Sequence, residues 1–518
     1  MKEPVAGRSA DLGFFIPSAL RWPAYAAANI GVWIALGVGV ALWSPSNPRI
    51  LYLMLLTALC SSPILKLQRL NGEYFLLAVY SAVFYNYFGV FDLMSTLLGR
   101  THAGSQAPLS SSELLILSAA ACVLLGYHAA ARSCKLTDAM PRDWPLRSVL
   151  IVGLAFWISG TISLGYWQTF IIADRSNATL LKNLNNLGPG LTTIFMMGQM
   201  IQPLGVLILA YAYARFKSAP LQALALLVVM AQIVLGFIAD FKGEAMQAGI
   251  LVIIAKTYVD GKLPKMWLLG AALFVLLAFP VFQAYRLQVR GEHGVSSLQT
   301  LQNLANTLQS ALQARQKADA GFGGAAYQTQ SFWERSSLKQ SVELIVQRTG
   351  EDKPYQRGAT LTPIVAAFIP KILWPDKPSI AVGQVFNKEF QLAEADTFIS
   401  PSHVGELYWN FGWLGVILGS ACIGALLGFV GTRCAAIPRA SLTRLLIMVI
   451  TIYAFAIGSE GSIAVAYVPW LRSMVAIALL HWVLARRGGA RPVGTGAAHS
   501  APPTAPERGP AAFPQLLR

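Results

Sequence analysis

Apolar runs of bilayer-spanning length recur along the chain. They lie near residues 24–43, 50–66, 73–95, 112–131, 148–167, 191–213, 219–239, 244–259, 266–283, 404–430, 443–458 and 463–485. A hydrocarbon core about 30 Å thick takes about 20 helical residues, so the pattern predicts an all-α, polytopic transmembrane bundle of about 12 spans. The runs 50–66 and 244–259 are short and suit tilted or partly inserted helices. Between 284 and 403 the rhythm stops for longer than an ordinary connection needs. Within that interval residues 296–318 read as an amphipathic helix, with Leu298, Leu301, Leu304, Leu308 and Leu312 on one stripe. Residues 319–330 are rich in Gly and Ala, and 331–350 read as a second amphipathic helix. The stretch 361–375 is apolar but too Pro-broken to span, which suits a re-entrant or interfacial segment.

The expected organisation follows from these lengths. An N-terminal segment (1–23) precedes a core of about nine spans (24–283). A large loop (284–403), three further spans (404–487) and a Pro/Ala/Gly-rich tail (488–518), expected to be disordered, complete the chain. The first apolar run is as long as a full span, so it does not read as a cleaved signal peptide.

Charge adds orientation. With the N-terminus in the cytoplasm, Lys and Arg fall in the inside loops at every crossing: Lys66 and Arg69; Arg132, Lys135, Arg142 and Arg147; Arg215 and Lys217; Lys256, Lys262 and Lys265; Arg433, Arg439 and Arg444; and Arg486, Arg487 and Arg491. The short outside connections hold few: Arg49, Arg100, and the mixed Asp174, Arg175 and Lys182. This places both termini in the cytoplasm and the 284–403 loop outside.

Composition agrees. Only 12% of the 518 residues are charged and the mean hydropathy is +0.52, about half the charged fraction of an average soluble domain. The net charge of +16 is explained by inside loops, and no basic run interleaved with aromatics points to nucleic acid. Five cysteines, Cys60, Cys122, Cys134, Cys422 and Cys434, form no CxxC or Cys/His cluster, so neither a disulfide framework nor a zinc site is expected. No nucleotide-binding or metal-hydrolase motif is present, and no cofactor is expected.

Four places carry ionisable groups near membrane depth, where charge is costly and points to function. Asp240, Lys242 and Glu244 sit between two runs, as a functional group or a solvated turn. The large loop holds Arg286, Arg290, Arg335, Lys339, Arg348, Arg357, Lys371 and Lys377. Guanidinium groups bind phosphate oxygens bidentately, although interspersed Glu334, Glu343, Glu351 and Asp352 also suit a solvated surface. The run 369–378, IPKILWPDKP, makes a rigid turn with Trp374 at headgroup level and Lys377 in reach of a lipid phosphate. Finally, His403, Glu406 and Asn410 follow one another at one-turn spacing at the entry to the tenth run, among the aromatics Tyr408 and Trp409. A carboxylate beside a His and an Asn there suits a general base or an acceptor-orienting group.

The stretch from Arg335 to Gly419 resembles the Wzy-type O-antigen/oligosaccharide repeat-unit polymerases. The carriers are Arg335 in FWERSSL, Gly358, IPKILWPDKP (369–378) and HVGELYWNFGWLGVILG (403–419), with FKGEAMQAGILVII (241–254) similar to that family's Lys-Gly segment. Lys371 stands where the pattern more often has Arg. The resemblance implies a metal- and nucleotide-independent membrane glycosyltransferase at the periplasmic face. Its substrate would be an undecaprenyl-diphosphate-linked oligosaccharide, with membrane lipid and a chain-length regulator as partners. In that reading Arg335, Arg348, Arg357 and Lys377 hold the lipid diphosphate. His403 or Glu406 is the acceptor-side base, and Lys242, Trp374, Tyr408 and Asn410 complete the site. Two rivals remain: an O-antigen ligase-like glycan transferase, and a non-enzymatic lipid-linked glycan flippase.

Overall fold

The computed structural model describes residues 49–65, 74–97, 109–134, 143–166, 201–238, 242–261, 264–270, 337–366, 382–390, 399–434 and 441–487, with a few isolated positions. Among them the chain is helical, without a strand. The helices are α1 (Arg49–Leu65), α2 (Phe75–Phe88), α3 (Val90–Leu97), α4 (Ser111–Ser133), α5 (Leu146–Tyr166), α6 (Ile201–Phe216), α7 (Ala219–Ile238) and α8 (Lys242–Asp260). Then come α9 (Lys339–Arg348), α10 (Thr362–Ala366), α11 (Val382–Phe390), α12 (Ser402–Cys434), α13 (Leu442–Thr451) and α14 (Ile463–Arg487). Six helical stretches among the described residues are long and apolar enough to cross a membrane: Ser111–Ser133, Leu146–Tyr166, Ala219–Gly236, Ser402–Cys434, Leu442–Glu460 and Ile463–Leu484. Shorter apolar helices cover Ile50–Ile64, Phe75–Phe88 and Ile201–Phe216. Most of the expected spans 24–43 and 266–283, the 296–318 helix and the tail lie outside the described residues.

Local chemistry explains where α4 begins. The α4 start is a reciprocal capping box: the Ser110 hydroxyl accepts from the Glu113 N–H at 3.2 Å, and Glu113 Oε2 accepts from the Ser110 N–H at 2.9 Å. Glycines then let α4 and α12 touch backbone to backbone. A Cβ on Gly126 would strike the Ala421 carbonyl, and one on Gly424 or Gly428 would strike the carbonyls of Val123 or Tyr127. Such small-residue contacts replace the hydrophobic effect as the glue between membrane helices.

Two expected spans are broken. The run 73–95 divides at Gly89 into α2 and α3. The tenth run divides at Gly412, whose φ of 63° and ψ of −149° lie in a region open to glycine alone. Residues 402–411 form a short helix and 413–434 a long one, about 33 Å at helical rise. The short piece folds back on the long one, because a Cβ on Gly415 or Gly419 would meet Leu407. A straight helix would hold Leu407 and Gly419 about 18 Å apart. Residues 413–434 by themselves are long enough to span a membrane, and His403, Glu406 and Asn410 belong to the folded-back piece.

The helix ends sort into two sets in space, as an alternating topology demands. At one end Asp143 accepts from the Tyr211 hydroxyl (2.6 Å) and the Leu442 N–H (3.3 Å), Trp144 donates to His481 (3.3 Å), and Lys217 and Lys256 each pair with Asp260 (3.2 Å). At the other end lie α3, the start of α4, α9, the 402–411 helix and the start of α14.

Candidate functional site

The second end is held together by three sets of polar contacts. In the first, Lys339 at the start of α9 places its ammonium 2.6 Å from Asp92 Oδ2 and 2.6 Å from Glu113 Oε1, and 4.5 Å from the centre of the Tyr52 ring. All four residues are buried. Glu113 thus serves twice, one oxygen capping α4 and the other holding α9. Beside it the Leu338 N–H donates to the Tyr87 carbonyl at 3.0 Å.

The second set holds the turn after α9. Breaking the helix at Gly412 frees the Trp409 and Asn410 carbonyls, and the N–H groups of Gln356 (2.9 Å) and Arg357 (3.1 Å) donate to them. The Asn410 side chain does the rest. Its Oδ1 accepts from the Gly358 N–H at 2.9 Å, and its Nδ2 donates to the Thr360 hydroxyl and to the Glu406 carbonyl, both at 2.7 Å. Arg357 is held with φ at 48° and Gly358 at 90°, a left-handed backbone that costs a non-glycine residue about 1–2 kcal/mol. Irregular backbone beside membrane helices is tolerated where protein satisfies its polar groups, as here.

The third set ties the 402–411 helix to α14. Glu406 is fully buried, and its Oε2 accepts from the Ile463 N–H at 2.6 Å, the first residue of α14. A carboxylate suits the positive end of a helix dipole. Its Oε1 has no well-formed hydrogen bond, although the Thr360 hydroxyl interacts with the same carboxyl. His403 is 2% exposed with neither ring nitrogen in a well-formed hydrogen bond, against the Ser462 backbone. Preceding α14, residues Ile452–Ala456 form a π-helical turn and Ile457–Glu460 a 3₁₀ turn. Such π-turns inside spans often accompany function.

The sequence-derived candidates divide accordingly. His403, Glu406, Tyr408 and Asn410 share the short helix, and Arg357 stands directly against it. The Arg357 side chain is exposed and, among the described residues, its guanidinium has no partner. Arg348 is engaged within the protein. It donates from Nε and Nη2 to Asp352 at 2.9 and 2.6 Å, donates from Nη1 to the Phe390 carbonyl at 3.2 Å, and lies over the Phe390 ring. That hydrogen bonding holds the exposed Asp352 carboxyl below its ordinary pKa. Tyr408 is buried against Tyr355, an exposed ring 6.3 Å away. Trp374 is 37% exposed. Lys242 begins α8, and nothing described brings it to this end group. Arg335, Lys371 and Lys377 lie outside the described residues.

Sequence reasoning missed Asp92 and Glu113 and gave Lys339 no special place. The available signal was two acids at the edges of apolar runs, where an unpaired charge would be costly.

Residues 176–485, more than half of the chain, match a family described as a domain of unknown function, DUF8712. The chain belongs to this family. The DUF8712 segment contains α6–α13, nearly all of α14, and every residue of the second and third contact sets. Asp92 and Glu113 stand outside it, so α9 of the DUF8712 segment is anchored on helices that precede it. No curated protein and no solved structure matches the chain.

Proposed function

We propose that the protein polymerises undecaprenyl-diphosphate-linked oligosaccharide repeats at the outer face of a bacterial inner membrane. The observation that supports this best is Arg357. Its guanidinium is free among the described residues, on a backbone fixed by the same Asn410 that sits one turn from Glu406 and two from His403. Asn410 thereby ties the backbone next to this guanidinium to the helix that carries the buried Glu406 and His403.

In this reading the acceptor sugar hydroxyl attacks the anomeric carbon of the growing chain. A glycosidic C–O bond forms, and the C–O bond to the lipid diphosphate breaks. The diphosphate leaves on its carrier with its charge met by Arg357 and, from outside the described residues, Arg335 and Lys377. His403 or Glu406 receives the hydroxyl proton. Thr360 stands between Asn410 and the Glu406 carboxyl and links the 358–362 turn to both. Tyr355 and Tyr408 offer aromatic surface beside it.

The test is complementation of a strain lacking the gene, read as the ladder of surface polysaccharide at matched protein levels. Wild type restores long chains, while Arg357→Ala and His403→Ala leave single-repeat product. An unchanged ladder on deletion overturns the proposal. Loss of all capping would favour a ligase, and accumulation of lipid-linked repeats on the cytoplasmic leaflet would favour a flippase.

A further inference from the structure

Three buried charges joined to one aromatic ring are an expensive way to attach a loop. Removing an ion from water costs several kcal/mol even after relaxation, and well-packed apolar side chains often hold as well. An ion cluster offers more specificity of position than apolar contact does, because the ammonium must meet both carboxylates at once.

What this cluster positions follows from the packing of α9. Lys339, Val342 and Ile345 recur at helical spacing and are all buried. Ile345 lies against Gly405, where an added Cβ would stand 2.7 Å from its Cδ1 and 3.7 Å from Val342 Cγ2. The buried face of α9 therefore seats on the first turn of the 402–411 helix, one residue before Glu406. From the far end of α9 the chain runs through Arg348 and the Gly350 turn into Arg357.

We propose that Lys339, clamped by Asp92 and Glu113, is a positioning residue: it fixes α9 against Gly405 and thereby sets Arg357 relative to His403 and Glu406. It touches no substrate. The consequence for polymerisation rests on the function proposed above, whereas the positioning itself does not.

The test uses the full-length protein in detergent, with its five native cysteines replaced by alanine and Val342→Cys as a reporter. Val342 is fully buried while α9 is seated, so alkylation of this thiol by N-ethylmaleimide reads local opening. Lys339→Met should speed labelling about tenfold or more, and Lys339→Arg should stay near the parent rate. Lys339→Met removes the ammonium that both buried carboxylates face and could fail to fold. A second variant therefore removes every charge: Lys339→Met with Asp92→Asn and Glu113→Gln. Gln at position 113 still suits the capping box. This neutral variant should remain folded and still label about tenfold faster. Labelling of a folded neutral variant within about twofold of the parent overturns the proposal. Faster labelling accompanied by an unchanged polysaccharide ladder would leave the positioning standing and count against the polymerase reading.

Discussion

At the scale of single residues, side chains that read as reagents in the sequence turn out to bear structure as well. Asn410 satisfies two backbone groups and one hydroxyl at once. Truncation to Ala strands the Gly358 N–H and costs about 2–3 kcal/mol, by the usual price of a buried unsatisfied group. Thermal unfolding in detergent checks this, and a Tm equal to wild type would refute it. Arg357 makes the converse case. Its left-handed backbone is strained and its side chain is exposed. Arg357→Gly should leave stability unchanged or raised by up to about 1 kcal/mol while, on the function proposed above, abolishing chain extension. A loss of more than about 1 kcal/mol would mean that the guanidinium holds the fold rather than a ligand.

At the scale of elements, the decisive feature is the break at Gly412. The sequence places His403, Glu406 and Asn410 one helical turn apart, and they are so arranged. It does not show that their helix folds back, since the apolar run continues through the break without a proline. The only local sign is Gly412 itself, one of several glycines in the run. Gly412→Ala should cost about 1–3 kcal/mol from backbone strain alone, because Ala cannot hold φ 63° with ψ −149°. It should also release the 356–361 turn, read as faster proteolysis there. Unaltered proteolysis and Tm would show that the kink tolerates a side chain. The α4–α12 contact is equally unforgiving, since Gly424 faces the Val123 backbone rather than a flexible side chain. Any larger residue there must push two helices apart.

At the scale of the whole molecule, the alternating helix ends make a topological prediction. Single cysteines replacing Glu351 and Glu460, both exposed, should react with a membrane-impermeant thiol reagent from the periplasmic side. A cysteine replacing the exposed Lys217 should react only after the membrane is opened. Labelling of all three from one side would overturn the orientation. The helical class and the places of several spans were legible beforehand. Span length is a property of local composition, and lipid imposes it residue by residue. Of the described helices, α4, α5, α7 and α14 fall where the apolar runs lie.

The sequence by itself determined an all-helical chain of apolar spans and the spacing of His403, Glu406 and Asn410. Those follow from composition and from the helical repeat, which act over a few residues. Only the tertiary structure decided that Glu406 caps α14, that Arg348 is spent on Asp352 and Phe390, and that Lys339 reaches Asp92 and Glu113. Lys339 stands 247 and 226 residues from its two carboxylates. No local pattern encodes such a pairing, because its stability comes from burial that exists only once the helices have packed.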